Sequence, residues 1–242
     1  MQSPAPLDAG SQVSNSDDAA LARGWLGLLR AIEPLKHLPR TGWLDRDIAS
    51  PESVAAHSWR LAVLAWVVAS EVGLNANRAM AIALLHDLPE AVTGDQTPFD
   101  PVGTSAQDRR RLATEPPDRQ TWRSPAARAK KEAAERAALN QIVATGPTGV
   151  GARIANLWEE YAAELTPEAR LVHQLDKLEA YLQGWEYASD GRLGQQETLR
   201  SFQVDCAQLA TEPAARALLQ AIEEWAGAAE KLDPNQKTLK PE

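Results

Sequence analysis

Residues 51–65, PESVAAHSWRLAVLA, decide the fold because their apolar side chains recur at the spacing of an α-helix. Val54, Leu61 and Leu64 are separated by seven and three residues, which places them on one helical face. His57 falls in the same line, three residues after Val54 and four before Leu61, so its imidazole is expected to point inward. The segment therefore predicts a buried helix that directs an ionisable group into the core.

Helical spacing continues along most of the chain, and no segment alternates strictly between apolar and polar residues as a half-buried strand would. We therefore predict an all-α fold, a single-domain helical bundle. Three helix starts share a hydroxyl residue followed by proline: Ser50-Pro51, Ser124-Pro125 and Thr166-Pro167. The predicted helices span residues 19–37, 52–72, 77–90, 126–144, 149–164, 167–187, 196–210 and 213–231.

Composition limits the classes of function. The chain has 242 residues, of which 44% are hydrophobic and 24% charged, as in an ordinary globular protein. Its 33 acidic and 25 basic residues give a net charge of -8, which repels polyanions, so no nucleic-acid polymer is expected as a partner. The single cysteine, Cys206, excludes an intrachain disulfide framework and is expected to be a buried thiol. The longest apolar run, Leu61 to Ala69, is too short to span a membrane, so no membrane partner and a cytoplasmic location are expected.

Both ends and one internal segment depart from the helical pattern. Residues 1–18 are expected to be a flexible leader, 19–232 the folded domain and 233–242 a polar tail. The stretch 100–123 contains prolines, glycines and the basic run Arg109-Arg110-Arg111, so it is predicted to be an inserted loop. One hypothesis makes this loop a lid whose arginines face a substrate, and the alternative is a solvated basic loop.

Several ionisable residues occupy positions that the periodicity assigns to the core, where burial is costly unless they are paired or bind a metal. His57 is one, His86 and Asp87 follow in the next predicted helix, and Asp176 lies on a later apolar stripe. Each alone has an ordinary explanation as a hydrogen-bonded core residue or a helix cap. Together they form a ligand set that a borderline or hard divalent cation accepts. Glu90, one turn beyond His86, is a candidate general acid or base, with an exposed helix-end residue as the alternative.

The order of these residues resembles the H…HD…D signature of the HD-domain metal-dependent phosphohydrolases, and within them the 5'-deoxynucleotidase type. The matching strings are RTGW from Arg40, PESVAAHSWRLAVLA from Pro51, ALLHDLPEAVTGDQTP from Ala83, LWEEY from Leu157 and QLDKLEAYLQ from Gln174. The resemblance implies an all-α HD-domain bundle with a metal site between its central helices, commonly in a homodimer.

The resemblance also implies roles for individual residues. One divalent ion would be held by His57, His86, Asp87 and Asp176. Its identity stays open among Mn, Co, Fe, Ni, Zn and Mg. Glu90 matches the catalytic carboxylate, and Arg40 matches the arginine that orients the substrate phosphate, with a solvated arginine as the alternative. Asp95 could orient a water or accept a hydrogen bond from a sugar hydroxyl. The residues that match nucleotide contacts are Trp43, Asp95, Gln96, Thr97 and Pro98.

The expected function is the removal of phosphate from small nucleotides, with 2'-deoxynucleoside 5'-monophosphates as the first candidate substrates. Two alternatives stay open. The substrate could be another nucleotide, such as a triphosphate, a cyclic nucleotide or a guanosine alarmone. The chain could instead be a non-catalytic nucleotide-sensing protein that retains the metal site.

Three further expectations concern packing. Trp59 and Trp66 stand at helical core spacing and are expected in the core. The segment Trp158–Tyr161 is expected to pack the metal-bearing helices together. The stripe Leu218, Ile222 and Trp225 is interpreted either as a dimer surface or as core; the spacing is the same for both.

Overall fold

The computed structural model describes residues 15–97, 105–115 and 125–231, and these residues fold into helices joined by turns. The predicted all-α class is confirmed. The helices are α1 (Asn15–Ala31), α2 (Thr41–Leu44), α3 (Val54–Glu71), α4 (Ala76–Leu85), α5 (Glu90–Thr93), α6 (Ala106–Thr114), α7 (Pro125–Val143), α8 (Thr148–Ala162), α9 (Pro167–Ser189), α10 (Arg200–Leu209) and α11 (Pro213–Lys231). Two short 3₁₀ helices span Glu33–Lys36 and Gln196–Leu199.

Helix α9 lies at the centre of the bundle and packs against α3, α4, α8, α10 and α11. Its start follows the predicted chemistry, because the Thr166 hydroxyl accepts a hydrogen bond from the Ala169 amide at 3.2 Å and Pro167 takes the first helical position. Leu171, Leu175 and Leu178 are buried on its inner face. Burial of each such side chain contributes about 1.5–3 kcal/mol to folding.

Helix α3 begins later than predicted, at Val54 and not near Ser50. The cap is Ser53, whose hydroxyl accepts a hydrogen bond from the Ala56 amide at 3.2 Å. The preceding Glu52 lies outside the helix, and its carbonyl accepts a hydrogen bond from the Arg40 amide at 3.0 Å. Because that carbonyl is used by a distant segment, Glu52 joins two parts of the chain and does not open the helix.

The predicted helix 77–90 is wrong at its end, since α4 stops at Leu85 and a separate short helix, α5, starts at Glu90. Pro89 explains the break, because it has no N–H to donate to the Leu85 carbonyl and its ring would clash there. His86 is the C-cap residue of α4, and residues 86–89 form turns that lead to α5.

The predicted loop 100–123 is wrong over its middle part, where Ala106–Thr114 form helix α6. A capping box starts this helix, in which Ser105 and Asp108 bond to each other's backbone amides. The basic run conceals the helix in the sequence because it leaves no apolar periodicity. Residues 98–104 and 116–124 of this region lie outside the described residues, as do 1–14 of the predicted leader and the whole predicted tail 233–242. Residues 15–18 already belong to α1.

The core does not contain all the predicted tryptophans. Trp59 and Trp66 are 66% and 47% exposed, so the expectation that they lie in the core is wrong. They project from α3 on the side away from α9. Cys206 is buried as expected, and Ile222 is buried while Trp225 is 41% exposed. The C-terminal stripe is therefore core at its centre and exposed at its end.

Helices long and apolar enough to cross a bilayer do not occur among the described residues.

Candidate metal centre

Three helices bring the four predicted ligands together. His57 comes from the first half of α3, His86 from the end of α4 and Asp176 from the middle of α9. One donor atom from each of these three lies within 4.8 Å of the others. Asp87 joins them, since its Oδ2 lies 3.0 Å from His86 Nε2 and 4.0 Å from His57 Nε2. His57 Nε2 is 3.1 Å from Asp176 Oδ1.

The far side of each imidazole is held by an acceptor, which fixes how the ring presents itself to the cluster. His86 Nδ1 donates to the Ala83 carbonyl at 2.7 Å, and His57 Nδ1 bonds to the Glu179 carboxylate. Both Nε2 atoms are buried and, among the described residues, neither has a hydrogen-bond partner. Imidazole nitrogens presented in this way, together with carboxylate oxygens, are the donors that a divalent cation takes. The residues present therefore fit a metal.

The carboxylates of the cluster are held in their charged form. Burial alone would raise the pKa of Asp176, but the Lys177 ammonium, 2.6 Å from its Oδ2, and the nearby histidines hold that pKa well below its usual range. Burial likewise opposes ionisation of Asp87, and His86 and Arg40 lower its pKa. Both aspartates therefore offer negative oxygens at neutral pH.

His57 is the member of the cluster with a raised pKa. Burial and Arg40 lower it, but Glu179 and Asp176 outweigh them and raise the pKa of His57 to about 9. Without a cation the ring therefore carries a second proton at neutral pH. His57 would have to lose that proton in order to serve as a metal ligand.

A cavity of about 310 Å³ opens onto the cluster. His86, Asp87 and Asp176 form part of its wall, whereas His57 is fully buried behind them. The other predicted site residues that line it are Arg40, Trp43, Glu90, Asp95, Gln96 and Thr97. Pro98, the remaining predicted contact, lies outside the described residues.

Arg40 and Glu90 lie beside the cluster with contrasting electrostatics. Arg40 Nη1 is 3.2 Å from Asp87 Oδ2, and its side chain is largely buried. Glu90 is 4% exposed, and within the described ranges its Oε2 has no hydrogen-bond partner. Burial, followed by the charges of Asp87 and Asp95, raises the pKa of Glu90 well above its usual range. A buried carboxyl group with a raised pKa can hold a proton at neutral pH and release it during a reaction.

Asp95 joins two segments of the cavity wall. Its Oδ2 accepts a hydrogen bond from the Thr41 amide at 2.6 Å, and its backbone carbonyl accepts one from Thr41 Oγ1 at 2.7 Å. These two bonds set the position of the residue next to Arg40. Asp95 therefore orders the arginine segment in addition to lining the cavity.

Trp43 offers the cavity ring surface and no hydrogen-bond donor. It is 1% exposed, and its indole N–H donates to Glu52 Oε1 at 3.0 Å. Tyr187 and Phe202 pack on the ring, with centroids 5.3 and 5.0 Å away. Gln96 is exposed at the mouth of the cavity, and its backbone carbonyl accepts a hydrogen bond from Lys131 Nζ at 3.4 Å.

The described part of the basic run does not point into the cavity. Arg109 is paired with Asp45 at 2.8 Å, and α6 packs on the second 3₁₀ helix and on α10. Arg111 is exposed. The positions of Arg109 and Arg111 therefore do not support the hypothesis that this segment is a lid over the cavity.

Other residues around the cluster were not singled out from the sequence as part of the site. Tyr161 donates to Asp176 Oδ2 at 3.3 Å, and Trp158 donates its indole N–H to the His86 carbonyl at 3.1 Å. These contacts are the packing role expected of that segment. Glu179 and Lys177 are near neighbours of Asp176 on α9 and belong to the matching string from Gln174, but helical spacing alone predicts no role for them. His173 lines the cavity, with its ring 5.9 Å from that of Tyr161.

Fold and cluster together define a class: helical proteins in which two histidines and two aspartates meet at the wall of a cavity and could hold a divalent cation. Residues 32–215 match the family model described as HD domain, so the chain belongs to the HD domain family. This confirms the family resemblance found in the sequence. Membership of this family implies a divalent metal, and the cluster supplies ligands for it.

Sequence similarity to known proteins extends over most of the chain. A protein of Danio rerio named 5'-deoxynucleotidase HDDC2 is 32% identical over 200 residues, which cover 82% of this chain and 86% of that protein. The Homo sapiens protein of the same name is 35% identical over 166 residues, 69% of each chain. Among solved structures, a conserved hypothetical protein from Pyrococcus furiosus superposes with a TM-score of 0.59 at 27% identity, covering 82% of this chain and 99% of that one.

Proposed function

We propose that this protein is a metal-dependent 5'-deoxynucleotidase, which hydrolyses 2'-deoxynucleoside 5'-monophosphates to a deoxynucleoside and phosphate. The observation that carries the proposal is the cluster of His57, His86, Asp87 and Asp176 at the wall of a cavity that also contains Arg40 and Glu90. The names of the similar Danio rerio and Homo sapiens proteins support the choice of substrate.

The four clustered residues would hold the metal. When bound, a divalent cation acts as a Lewis acid towards water and towards a phosphoryl oxygen. Mixed nitrogen and oxygen donors suit Mn, Co, Fe, Ni or Zn, and Mg is tested alongside them.

Arg40 binds the substrate phosphate in this proposal. Its guanidinium is already directed to the cluster by Asp87, and it presents paired N–H donors that match phosphate oxygens. The chain is acidic overall, with a net charge of -8, so a cation placed inside the cavity is needed to attract a dianionic group.

Glu90 moves the proton. A buried carboxyl group with a raised pKa holds a proton at neutral pH, and it can give that proton to the 5' oxygen of the deoxynucleoside as the phosphoester bond breaks. Attack by water on phosphorus requires the loss of a proton, which Glu90 can accept once it is ionised. The reaction then ends with a hydroxyl on the sugar and free phosphate.

The remaining contacts hold the nucleoside. The ring face of Trp43 covers apolar parts of the sugar or base, and Asp95 accepts a hydrogen bond from the sugar or orders Arg40 through Thr41. Gln96 and Thr97 complete the mouth in this proposal, and Pro98, which the resemblance adds to them, lies outside the described residues.

The test is a phosphate-release panel on purified protein freed of metal. Deoxynucleoside and ribonucleoside 5'-monophosphates, triphosphates, cyclic nucleotides and a guanosine alarmone are compared with Mn, Co, Fe, Ni, Zn, Mg and no metal. The expected result is metal-dependent release of one phosphate from deoxynucleoside monophosphates, with slower turnover of the ribose forms. Nucleotide binding without turnover under every condition would reject the enzyme in favour of a sensor.

We also propose that the chain forms a homodimer. The support is an apolar surface on the outer side of α3, the α3 surface, made of Trp59, Val63, Trp66 and Val67, each of which is 46% exposed or more. Contiguous exposed apolar side chains of this kind mark interaction sites. A second copy of the chain would cover them.

A further inference from the structure

We propose that Glu179 is a positioning residue that sets the direction of the His57 imidazole towards the metal, and that Arg60 holds Glu179 in place. The inference rests on the metal site proposed above. It concerns residues outside the ligand set, on the side of His57 that faces away from the cavity.

Arg60 and Glu179 each lie three residues after a predicted metal ligand, on two helices that pack together. Arg60 follows His57 by three residues on α3, and Glu179 follows Asp176 by three residues on α9. Residues three apart share a helical face, so each partner stands one turn beyond a ligand. Four side chains are thus linked across the two helices. His57 contacts both Asp176 and Glu179, and Arg60 contacts Glu179.

Glu179 is buried, and its two oxygens have separate tasks. Its side chain is 1% exposed. Oε2 bonds to His57 Nδ1, and Oε1 accepts a hydrogen bond from Arg60 Nε at 2.6 Å. A carboxylate so far from water is costly unless it is paired and hydrogen-bonded, and these two contacts supply both.

The arginine is itself fixed by further acceptors. Arg60 Nη1 donates to Glu186 Oε2 at 2.6 Å, and Nη2 donates to Gln183 Oε1 at 2.9 Å. Three of its nitrogens are therefore engaged by residues of α9. A guanidinium held at three points has little freedom to rotate, so Glu179 is presented to His57 in one orientation.

The contact decides which nitrogen of His57 faces the cluster. A carboxylate accepts the proton of Nδ1, so Nε2 is the atom left to bind a cation, and the ring cannot turn without losing that hydrogen bond. His86 uses a neutral carbonyl, Ala83, for the same purpose. At Nδ1, therefore, His57 has a charged partner and His86 a neutral one.

Glu52 is a further carboxylate with an oxygen within 4.8 Å of a ring nitrogen of His57 and of an oxygen of Glu179. Its Oε1 accepts the indole N–H of Trp43 at 3.0 Å, and its backbone amide donates to the Tyr187 hydroxyl at 2.8 Å. Glu52 is therefore bound on the Trp43 side of the site, and Glu179 is the carboxylate that bonds to His57 Nδ1.

The experiment is a Co²⁺ titration of metal-free Glu179→Gln, followed by the visible absorption of the bound ion. Glutamine keeps the size of the side chain and one acceptor oxygen but removes the charge. We expect Co²⁺ affinity to fall by about 10–100-fold, the usual effect of losing the outer partner of a metal-bound histidine. The absorption bands of the bound ion should also shift, because the ring is less firmly directed.

Glu186→Gln is the matched control. Glu186 bonds to the same arginine but does not touch His57, and its side chain is 37% exposed. Its substitution affects one of the three acceptors of Arg60 and leaves the bond between Glu179 and His57 in place, so Co²⁺ affinity should fall far less than in Glu179→Gln. Thermal unfolding of each metal-free variant separates weaker binding from a loss of folded protein.

Arg60→Lys provides a second route if Glu179→Gln does not fold. Lysine keeps a positive charge but cannot engage three acceptors with one planar group, so a smaller loss of Co²⁺ affinity is expected. Wild-type affinity in folded Glu179→Gln, or an equal loss in Glu186→Gln, would overturn the inference. Because Co²⁺ binding is measured without nucleotide, failure of the proposed hydrolysis would leave this result standing.

Discussion

Helix α3 departs from the usual distribution of polar and apolar groups in two places, one on each side. On the inner side His57 is 0% exposed, and on the outer side Trp59, two residues later, is 66% exposed. A helix that only needed to fold would place these side chains the other way round. The imidazole is inside because acceptors and carboxylates from α9 surround it, and the indole is outside where a partner can cover it. Departures from the amphipathic rule thus locate both proposed interactions of this chain.

The largest loss of activity is expected from Asp176→Asn, which changes the α9 carboxylate that faces His57 on the inner side of α3. The amide offers one oxygen without charge, so the proposed metal site loses a negative ligand that also faces His57. We expect phosphate release to fall by about 10³-fold or more. Bound metal, measured by elemental analysis, should fall with it. Glu164→Gln, which changes a more exposed carboxylate at the same cavity, should keep both, and full activity in Asp176→Asn would contradict the ligand role.

Glu90→Gln should separate proton transfer from metal binding. The carboxyl group is lost while the four proposed ligands remain, so we expect kcat to fall by about 10²–10⁴-fold. Metal content should stay at the wild-type level. Glu132→Gln, on the α7 side of the cavity, is the control. An unchanged kcat in Glu90→Gln would remove Glu90 from the mechanism.

The free energy of unfolding should respond differently to substitutions on the two sides of α3, whether or not the protein is catalytically active. Leu61 is fully buried, so Leu61→Ala should lower the free energy of unfolding by about 2–5 kcal/mol. Val63 is 48% exposed on the outer side, and Val63→Ala should change it by less than about 0.5 kcal/mol. Urea unfolding of the metal-free proteins measures both. Equal losses would show that the outer side is not free in the isolated chain.

Trp59→Glu should have the smallest effect on turnover. A charge on the α3 surface opposes its burial against a second copy, so the dimer should dissociate while kcat per chain is unchanged. Light scattering coupled to size exclusion gives the mass of each species. Glu71→Gln, at the end of the same helix, serves as a control for a change of charge there. A wild-type protein that is monomeric at all concentrations would reject the homodimer.

The sequence predicts the all-α class and the meeting of the ligands because both depend on local periodicity. His57 and Asp176 are marked by their positions on apolar stripes, and His86 by its place four residues after Ile82. These signals need only the 3.6-residue repeat. The mutual approach of three helices then follows from burying their apolar faces together.

What the sequence does not predict depends on tertiary contacts or on a competing local rule. Pro89 ends α4 although the apolar period runs through it, and a capping box starts α6 within a charged run. The Arg60 and Glu179 contact joins residues 119 positions apart, so neither residue reveals it alone. Exposure of Trp59 is equally invisible, since spacing shows which residues share a face but not whether a neighbour covers it.

The paired hydrogen bonds between Thr41 and Asp95 bear on the entropy of binding. They connect residues 54 positions apart, so the segments that carry Arg40 and Gln96 are ordered together when the chain folds. An already ordered wall loses little conformational freedom when a ligand arrives, and more of the contact energy then contributes to affinity. The Thr41 amide, although it lies at the first position of a four-residue helix, should exchange its hydrogen with deuterated water slowly in the free protein.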